Sequence, residues 1–303
     1  MFEYNFSPDT IDLIIVGNGF DLANNFKTSY NDFVKSEHFT EILLDNDLAK
    51  RIHAKLEIQN WVDVEMEIAE YSNYLFEEYK GNIPNDLSEK FEKEFNEISK
   101  GLNNFIIDAE CNLIISNPYV EKLVDLWFCR LLQDNKKAFI ISFNYLKCEY
   151  RFFSKNISLQ KLFINGNPIS IHGTVSSFEN DTNIVLGVDE KNIRCKEHNF
   201  LLKSLNKNTD TKGYFGYIDK ADRIILFGCS LGETDYRYYE PLFKNAKNKK
   251  YEIYCYGDKE YLKIRNQINQ YVGLEKDLFY EENEVTFYDS SDNDFSIIYT
   301  NKN

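Results

Sequence analysis

Short, almost continuous apolar runs recur along the chain and predict buried β-strands. The first run covers residues 11–16, and its unbroken hydrophobicity is typical of a parallel strand covered on both faces. Similar runs follow at residues 138–143, 169–171, 184–186, 223–227, 251–256 and 285–288. Because helical stretches lie between many of these runs, the pattern predicts an α/β fold with a parallel sheet and helices on both faces.

The residues between the first two strands have a helical pattern instead. One helix face is indicated by side chains spaced three and four positions apart: Trp61, Val64, Ile68, Tyr71 and Leu75. Residues 87–105 and 119–132 repeat this spacing. We therefore expect residues 1–28 and 136–303 to form an α/β domain, with residues 29–135 as a helical insertion, or cap, packed on it.

Two regions lack a clear hydrophobic pattern. Residues 190–216 have weak periodicity, which predicts a loop-rich connection. The segment after Asp289 is polar, and we expect it to fray.

Composition narrows the class of protein. No run of about 18 apolar residues is present, so we expect no membrane span. The first residues lack a basic segment followed by an apolar one, which argues against a signal peptide.

The six cysteines are scattered without a C-x-x-C pair, which is typical of reduced thiols in a cytoplasmic protein and predicts no structural zinc or other metal site. A net charge of −14 disfavours an extended nucleic-acid-binding surface.

The first predicted strand runs directly into a glycine-containing turn. Its residues are Gly17, Asn18, Gly19, Phe20 and Asp21. A strand that turns into a helix in this way presents backbone N–H groups, and such a turn can bind phosphate. The motif is not the full G-x-G-x-x-G pattern, because Leu22 stands at the third glycine position. A plain tight turn is the alternative.

Polar residues also follow three later strands, where the carboxyl ends of parallel strands form a ligand crevice. Asn144 could hold a ribose hydroxyl or a water, or could instead cap a helix. His172 could act as a general base, or could be a buried structural histidine. Gly228 and Ser230 could supply backbone donors and a hydroxyl, and Asp235 could bind a ligand or cap the next helix.

The helical region contributes one further group of candidates. Trp61 begins an apolar stripe, Asp63 fits the start of a helix, and Glu65 lies at the edge of the stripe. A glutamate in that position could have a raised pKa, but charged residues are usually solvated, so we expect Glu65 to face solvent.

Together these segments resemble the bacteriophage abortive-infection AbiH family. The matching blocks run in the family's order: residues 14–21, 28–33, 60–65, 142–145, 171–173, 186–189 and 227–235. The resemblance implies a bacterial cytoplasmic protein of antiphage defence, which could respond to a phage-derived trigger and could form a homo-oligomer.

That family in turn resembles the sirtuin-like NAD-binding fold, which implies a Rossmann-like parallel sheet with a helical insertion after the first strand. The likeness implies that the turn with Gly17, Asn18 and Gly19, continued by Phe20 and Asp21, surrounds the pyrophosphate of a dinucleotide. The chain lacks the two C-x-x-C pairs of sirtuin deacylases, so we do not expect protein deacylation.

The same likeness implies where the rest of the dinucleotide lies. Asn144 would lie near the nicotinamide ribose, with His172 as the base that acts on ribose or water. Gly228 and Ser230, followed by Asp235, would lie near the adenosine half.

The leading functional hypothesis is hydrolysis of NAD⁺ at the nicotinamide–ribose bond. In this chemistry Asn144 orients the ribose and His172 serves as base. One alternative is a sensor that binds NAD⁺ or ADP-ribose without chemistry. Another is a metal-dependent nucleotide hydrolase or nuclease, whose carboxylates would be Asp21, Asp63, Glu65 and Asp235.

Overall fold

A seven-stranded sheet organises the computed structural model of the chain. The structure describes residues 11–59, 63–111, 117–146, 162–164, 168–175, 184–206, 214–244 and 246–302. The strands are β1 Ile11–Val16, β2 Lys137–Ser142, β3 Ile169–Ser170, β4 Ala221–Phe227, β5 Lys250–Cys255, β6 Glu284–Asp289 and β7 Ile297–Thr300. Their order is β3-β2-β1-β4-β5-β6-β7, and every neighbouring pair is parallel except β6 and β7. The first six strands have the order of a Rossmann fold, so the predicted α/β class is confirmed.

Strand β1 shows why its sequence is apolar without interruption. Leu13 and Ile15 pack into the core on one face of the sheet, and Ile14 and Val16 pack into the core on the other. Successive residues of a strand point to opposite faces, so both sets are buried only when helices cover both sides.

One face of the sheet is covered by helices that follow β1 in sequence. These are α1 Asn18–Ala23, α2 Tyr30–Val34, α3 Glu37–Thr40, α4 Asp47–Gln59, α5 Val64–Glu78, α6 Asn85–Cys111 and α7 Pro118–Gln133. Their apolar faces share one core with β1. The exact domain boundaries stay a prediction. Within the described ranges, no helix combines the length and apolar character that a membrane span needs.

The opposite face is covered by the later helices. They are α8 Tyr214–Lys220, α9 Tyr236–Phe243, α10 Gly257–Val272 and α11 Lys276–Glu282. Tyr238, Ile264 and Phe279 from three of them join the second core cluster with Leu13 of β1.

Two segments differ from the sequence-based expectation. Residues 184–186 form no strand and make only a single bridge, between Gly173 and Ile184. The expected fraying after Asp289 is wrong, because β7 pairs antiparallel with β6. Tyr299 of β7 packs against the core and lies under the guanidinium of Arg265, so the short strand is fixed by side chains as well as by backbone bonds.

Candidate functional site

The turns after β1 and β4 lie against each other at the carboxyl edge of the sheet, where the strand order reverses. The amide of Gly17 donates to the carbonyl of Phe227 (2.9 Å), and the amide of Gly19 donates to that of Gly228 (3.0 Å). Gly228 has a φ of +63°, and a Cβ there would lie 2.4 Å from the Cα of Gly19. This close approach requires glycine at both positions, whether or not a phosphate binds nearby.

The other residues of the first turn have structural partners as well. The side chain of Asn18 accepts a hydrogen bond from the hydroxyl of Thr28 (2.6 Å). Phe20 is fully buried, with its ring edge-on to Phe227. Ser230 of the β4 turn is exposed. The predicted contacts of Gly17, Asn18, Gly19, Phe20, Gly228 and Ser230 with a dinucleotide therefore stay predictions.

Asn144 follows β2 and connects it to the first turn. Its side-chain amide donates to Asp21 at 3.3 Å, and both residues are buried. The Oδ1 atom of Asn144 is buried without a hydrogen-bond partner among the described residues. An unpaired buried acceptor is costly, so this oxygen could receive a hydrogen bond from a bound molecule.

His172 follows β3 and contacts the segment after β4. Its Nε2 lies 2.8 Å from Oδ1 of Asp235, which occupies a 3-10 helix after the β4 turn. The ring packs edge-on to Phe143 and at a tilt to Tyr145, with centroid distances of 5.3 and 5.9 Å. The aromatic contacts and the carboxylate together fix the orientation of the imidazole.

A buried lysine joins these groups to helix α5. The Nζ atom of Lys203 lies 2.8 Å from Oε2 of Glu65 and 2.7 Å from Oδ1 of Asp235. Glu65 also accepts hydrogen bonds from the hydroxyl of Thr234 (2.7 Å) and the amide of Gly187 (3.4 Å). Glu65 is only 3% exposed, so the expectation that it faces solvent is wrong. Its burial is tolerated because these three donors satisfy the carboxylate.

The charged groups of this cluster shift the pKa values of Lys203 and Asp235 so that both stay ionised. Burial alone would lower the pKa of Lys203, but the carboxylates of Asp235 and Glu65 raise that pKa well above its usual range. Burial would raise the pKa of Asp235, but His172 and Lys203 hold it well below its usual range. Asp235 is therefore ionised, and its Oδ1 accepts a hydrogen bond from Nε2 of His172. In the neutral imidazole with this hydrogen bond, Nδ1 is the ring nitrogen without a hydrogen.

Asp63 and two tyrosines lie beside this cluster. Asp63 caps α5, as its sequence position predicted, because its Oδ1 accepts a hydrogen bond from the amide of Met66 (3.1 Å). Burial, followed by the charge of Glu65, raises the pKa of Asp63 to about 6. The hydroxyl groups of Tyr30 and Tyr145 lie 3.2 Å apart, and burial raises the pKa of both. Trp61, the remaining candidate of this segment, lies outside the described residues.

The four carboxylates proposed for a metal-dependent enzyme do not form one ligand set. Asp21 is paired with the amide of Asn144, and the ammonium group of Lys203 lies between Glu65 and Asp235. The lysine therefore occupies the position that a bridging cation would need. Among the described residues, no group of three histidine, cysteine or acidic side chains could hold a metal ion.

The structure places the candidates in two groups of contacts, Asp21 with Asn144 and His172 with Asp235 and Glu65, and adds Lys203 to the second group. Glu65, Asn144, His172 and Asp235 were named from sequence. Lys203 was missed, because it lies in the connection predicted to be loop-rich and its only cue is a lysine that directly follows two leucines.

These features define an α/β protein with a Rossmann strand order and a buried polar site at the point where that order reverses. The family model described as "Bacteriophage abortive infection AbiH" matches residues 13–256. The chain therefore belongs to the AbiH family, and phage abortive infection is its functional class. No curated protein matches the chain. A sirtuin-like fold is not confirmed, and the ligand, the phage-derived trigger and the oligomeric state stay predictions.

Proposed function

We propose that this AbiH protein binds NAD⁺ at the carboxyl edge of its sheet and hydrolyses the bond between nicotinamide and ribose. The observation that carries the proposal is that polar side chains follow four neighbouring strands at one edge of the sheet, where Asp21 pairs with Asn144 and His172 pairs with Asp235. Asp21 follows β1, Asn144 follows β2, His172 follows β3 and Asp235 follows β4. Sheets with this strand order take dinucleotides at the switch point, which here lies between β1 and β4.

Asn144 supplies the contact that would orient the sugar. Its amide nitrogen is engaged by Asp21, which fixes the side chain so that Oδ1 remains as an acceptor. A ribose hydroxyl is a donor of the right kind for this atom, and it would remove the cost of the unpaired oxygen. A sugar held at one hydroxyl presents its anomeric carbon in a fixed position, which favours attack by water.

His172 supplies the base. Cleavage of the nicotinamide–ribose bond gives an oxocarbenium-like sugar and neutral nicotinamide, so little acid catalysis is needed. Water then adds to the anomeric carbon and gives its proton to Nδ1 of His172, which yields ADP-ribose. Asp235 accepts the hydrogen bond from Nε2 and stabilises the imidazolium that forms. The carboxylates of Glu65 and Asp235 also favour a cationic sugar nearby.

The test is incubation of purified protein with NAD⁺, with and without phage lysate, followed by chromatography of nicotinamide and ADP-ribose. We expect release in at least one condition, and we expect Asn144→Ala and His172→Gln to lower the rate by about 10²-fold or more. His53→Gln is the matched control, because His53 is a partly exposed histidine on α4. No nicotinamide in either condition contradicts the proposal, and tight calorimetric binding of NAD⁺ without turnover would favour the sensor.

A further inference from the structure

Lys203 places an ammonium group inside the site from a segment that carries no recognisable motif. Its side chain is 1% exposed, and Nζ contacts carboxylates from two distant parts of the chain, Glu65 and Asp235. A buried ammonium is unfavourable unless it is paired with good geometry, and two carboxylates at 2.7–2.8 Å supply that pairing. The lysine therefore fixes the charge of the cluster as well as its shape.

The charge of Lys203 bears directly on His172. Both Nζ of Lys203 and Nε2 of His172 reach the same oxygen, Oδ1 of Asp235, and the two nitrogens lie 3.4 Å apart. A carboxylate oxygen can accept both hydrogen bonds at once. The ammonium offsets one of the two carboxylate charges, so the imidazole faces one net negative charge instead of two.

We propose that Lys203 is a positioning residue of the site, which offsets one of the two carboxylate charges of Glu65 and Asp235 and thereby limits protonation of the His172 ring at Nδ1. The importance of a neutral ring rests on the proposed function, because only a base needs it. The charge coupling itself does not depend on any ligand.

Removing the charge of Lys203 and removing the charge of Glu65 should shift the titration midpoint of His172 in opposite directions. With Lys203 in place, two carboxylates and one ammonium leave a single net negative charge beside His172. Lys203→Met leaves two negative charges, whereas Glu65→Gln leaves none. The double variant returns to one negative charge. Asp63, Tyr30 and Tyr145 also face the cluster. Glu65 raises the pKa of Asp63 and Lys203 lowers it, so the ionisation of Asp63 reduces the charge change at His172 in both single variants without reversing it.

The experiment is an NMR titration of the imidazole nitrogens in the full chain without ligand, with the His172 resonance assigned from its loss in His172→Gln. We expect Lys203→Met to raise the midpoint of the His172 titration by about one pH unit or more, and Glu65→Gln to lower it by a similar amount. We expect the double variant and Lys203→Arg to titrate close to the unsubstituted protein.

If all folded variants have the same His172 titration midpoint, Lys203 only holds Glu65 and Asp235 together, and the proposal is wrong. If Lys203→Met does not fold, the comparison of Glu65→Gln with the double variant still decides it, because these two proteins differ only in the charge at position 203 and the double variant should have the higher midpoint. The titration requires no turnover. If the His172 midpoints shift as expected in a protein that does not hydrolyse NAD⁺, the positioning role is supported and only the proposed hydrolysis is contradicted.

Discussion

Replacing Asp63 by asparagine should make the protein more stable at neutral pH, although Asp63 caps a helix. Oδ1 of Asp63 accepts the Met66 amide at 3.1 Å, and an asparagine oxygen can accept the same bond. What the substitution removes is a charge. Burial and the nearby carboxylate of Glu65 raise the pKa of Asp63 from 3.8 to about 6, so ionising this group in the folded protein is unfavourable.

The magnitude follows from proton linkage. The folded state binds the Asp63 proton more tightly than the unfolded state does. The stability that Asp63 contributes is therefore fully present below about pH 4 and is lost as the pH rises through about 6. Each pH unit between the two pKa values is worth about 1.4 kcal/mol, so the full loss is about 3 kcal/mol. Asp63→Asn escapes this loss, because the amide does not ionise.

Urea unfolding at pH 4 and at pH 7.5 measures the effect. We expect the free energy of unfolding of Asp63→Asn to exceed that of the unsubstituted protein by about 3 kcal/mol at pH 7.5, and by less than about 1 kcal/mol at pH 4. Asp63→Ala is the control, and it should fall about 1 kcal/mol below Asp63→Asn at both pH values because it loses the cap. A difference between Asp63→Asn and the unsubstituted protein that is the same at both pH values would refute the reasoning.

Three further substitutions test the packing around the site. Gly228→Ala should lower the free energy of unfolding by more than about 3 kcal/mol, because its Cβ would meet Cα of Gly19 at 2.4 Å in a backbone with φ +63°. Thermal unfolding should show Lys203→Met to be less stable by about 3–5 kcal/mol, with part of the loss recovered when one carboxylate is also neutralised. Arg130→Met should cost about 1–2 kcal/mol in urea unfolding, since both its terminal nitrogens contact Glu252 at 2.7–2.8 Å on a partly exposed surface.

The sequence was most informative where one physical cause controls a whole segment. A strand buried on both faces must be apolar at every position, which is why residues 11–16 predicted β1 with its observed bounds. Parallel strands end at one edge of the sheet, so polar residues after them are candidates for a common site. This argument selects Asn144, His172 and Asp235 from the sequence alone.

Sequence reasoning failed where the cause lies in tertiary contacts. Glu65 was expected in solvent because charged residues are seldom buried, and nothing local reveals that Lys203, 138 residues later, would pair with it. Lys203 was missed for the same reason, since its segment has no helical or strand period. Strand β7 has only four residues, IIYT, and its pairing with β6 was missed because the residues around this short apolar run are polar.

The position of Glu65 gives the helical segment between β1 and β2 a direct part in the site. Helix α5 carries Glu65 into a cluster whose other members, Lys203 and Asp235, come from segments after the third strand. Separating α5 from the sheet would leave the lysine with one carboxylate fewer and would change the charge beside His172. Any event that shifts these helices therefore acts on the imidazole through the Glu65–Lys203 pair, without touching the residues at the strand ends.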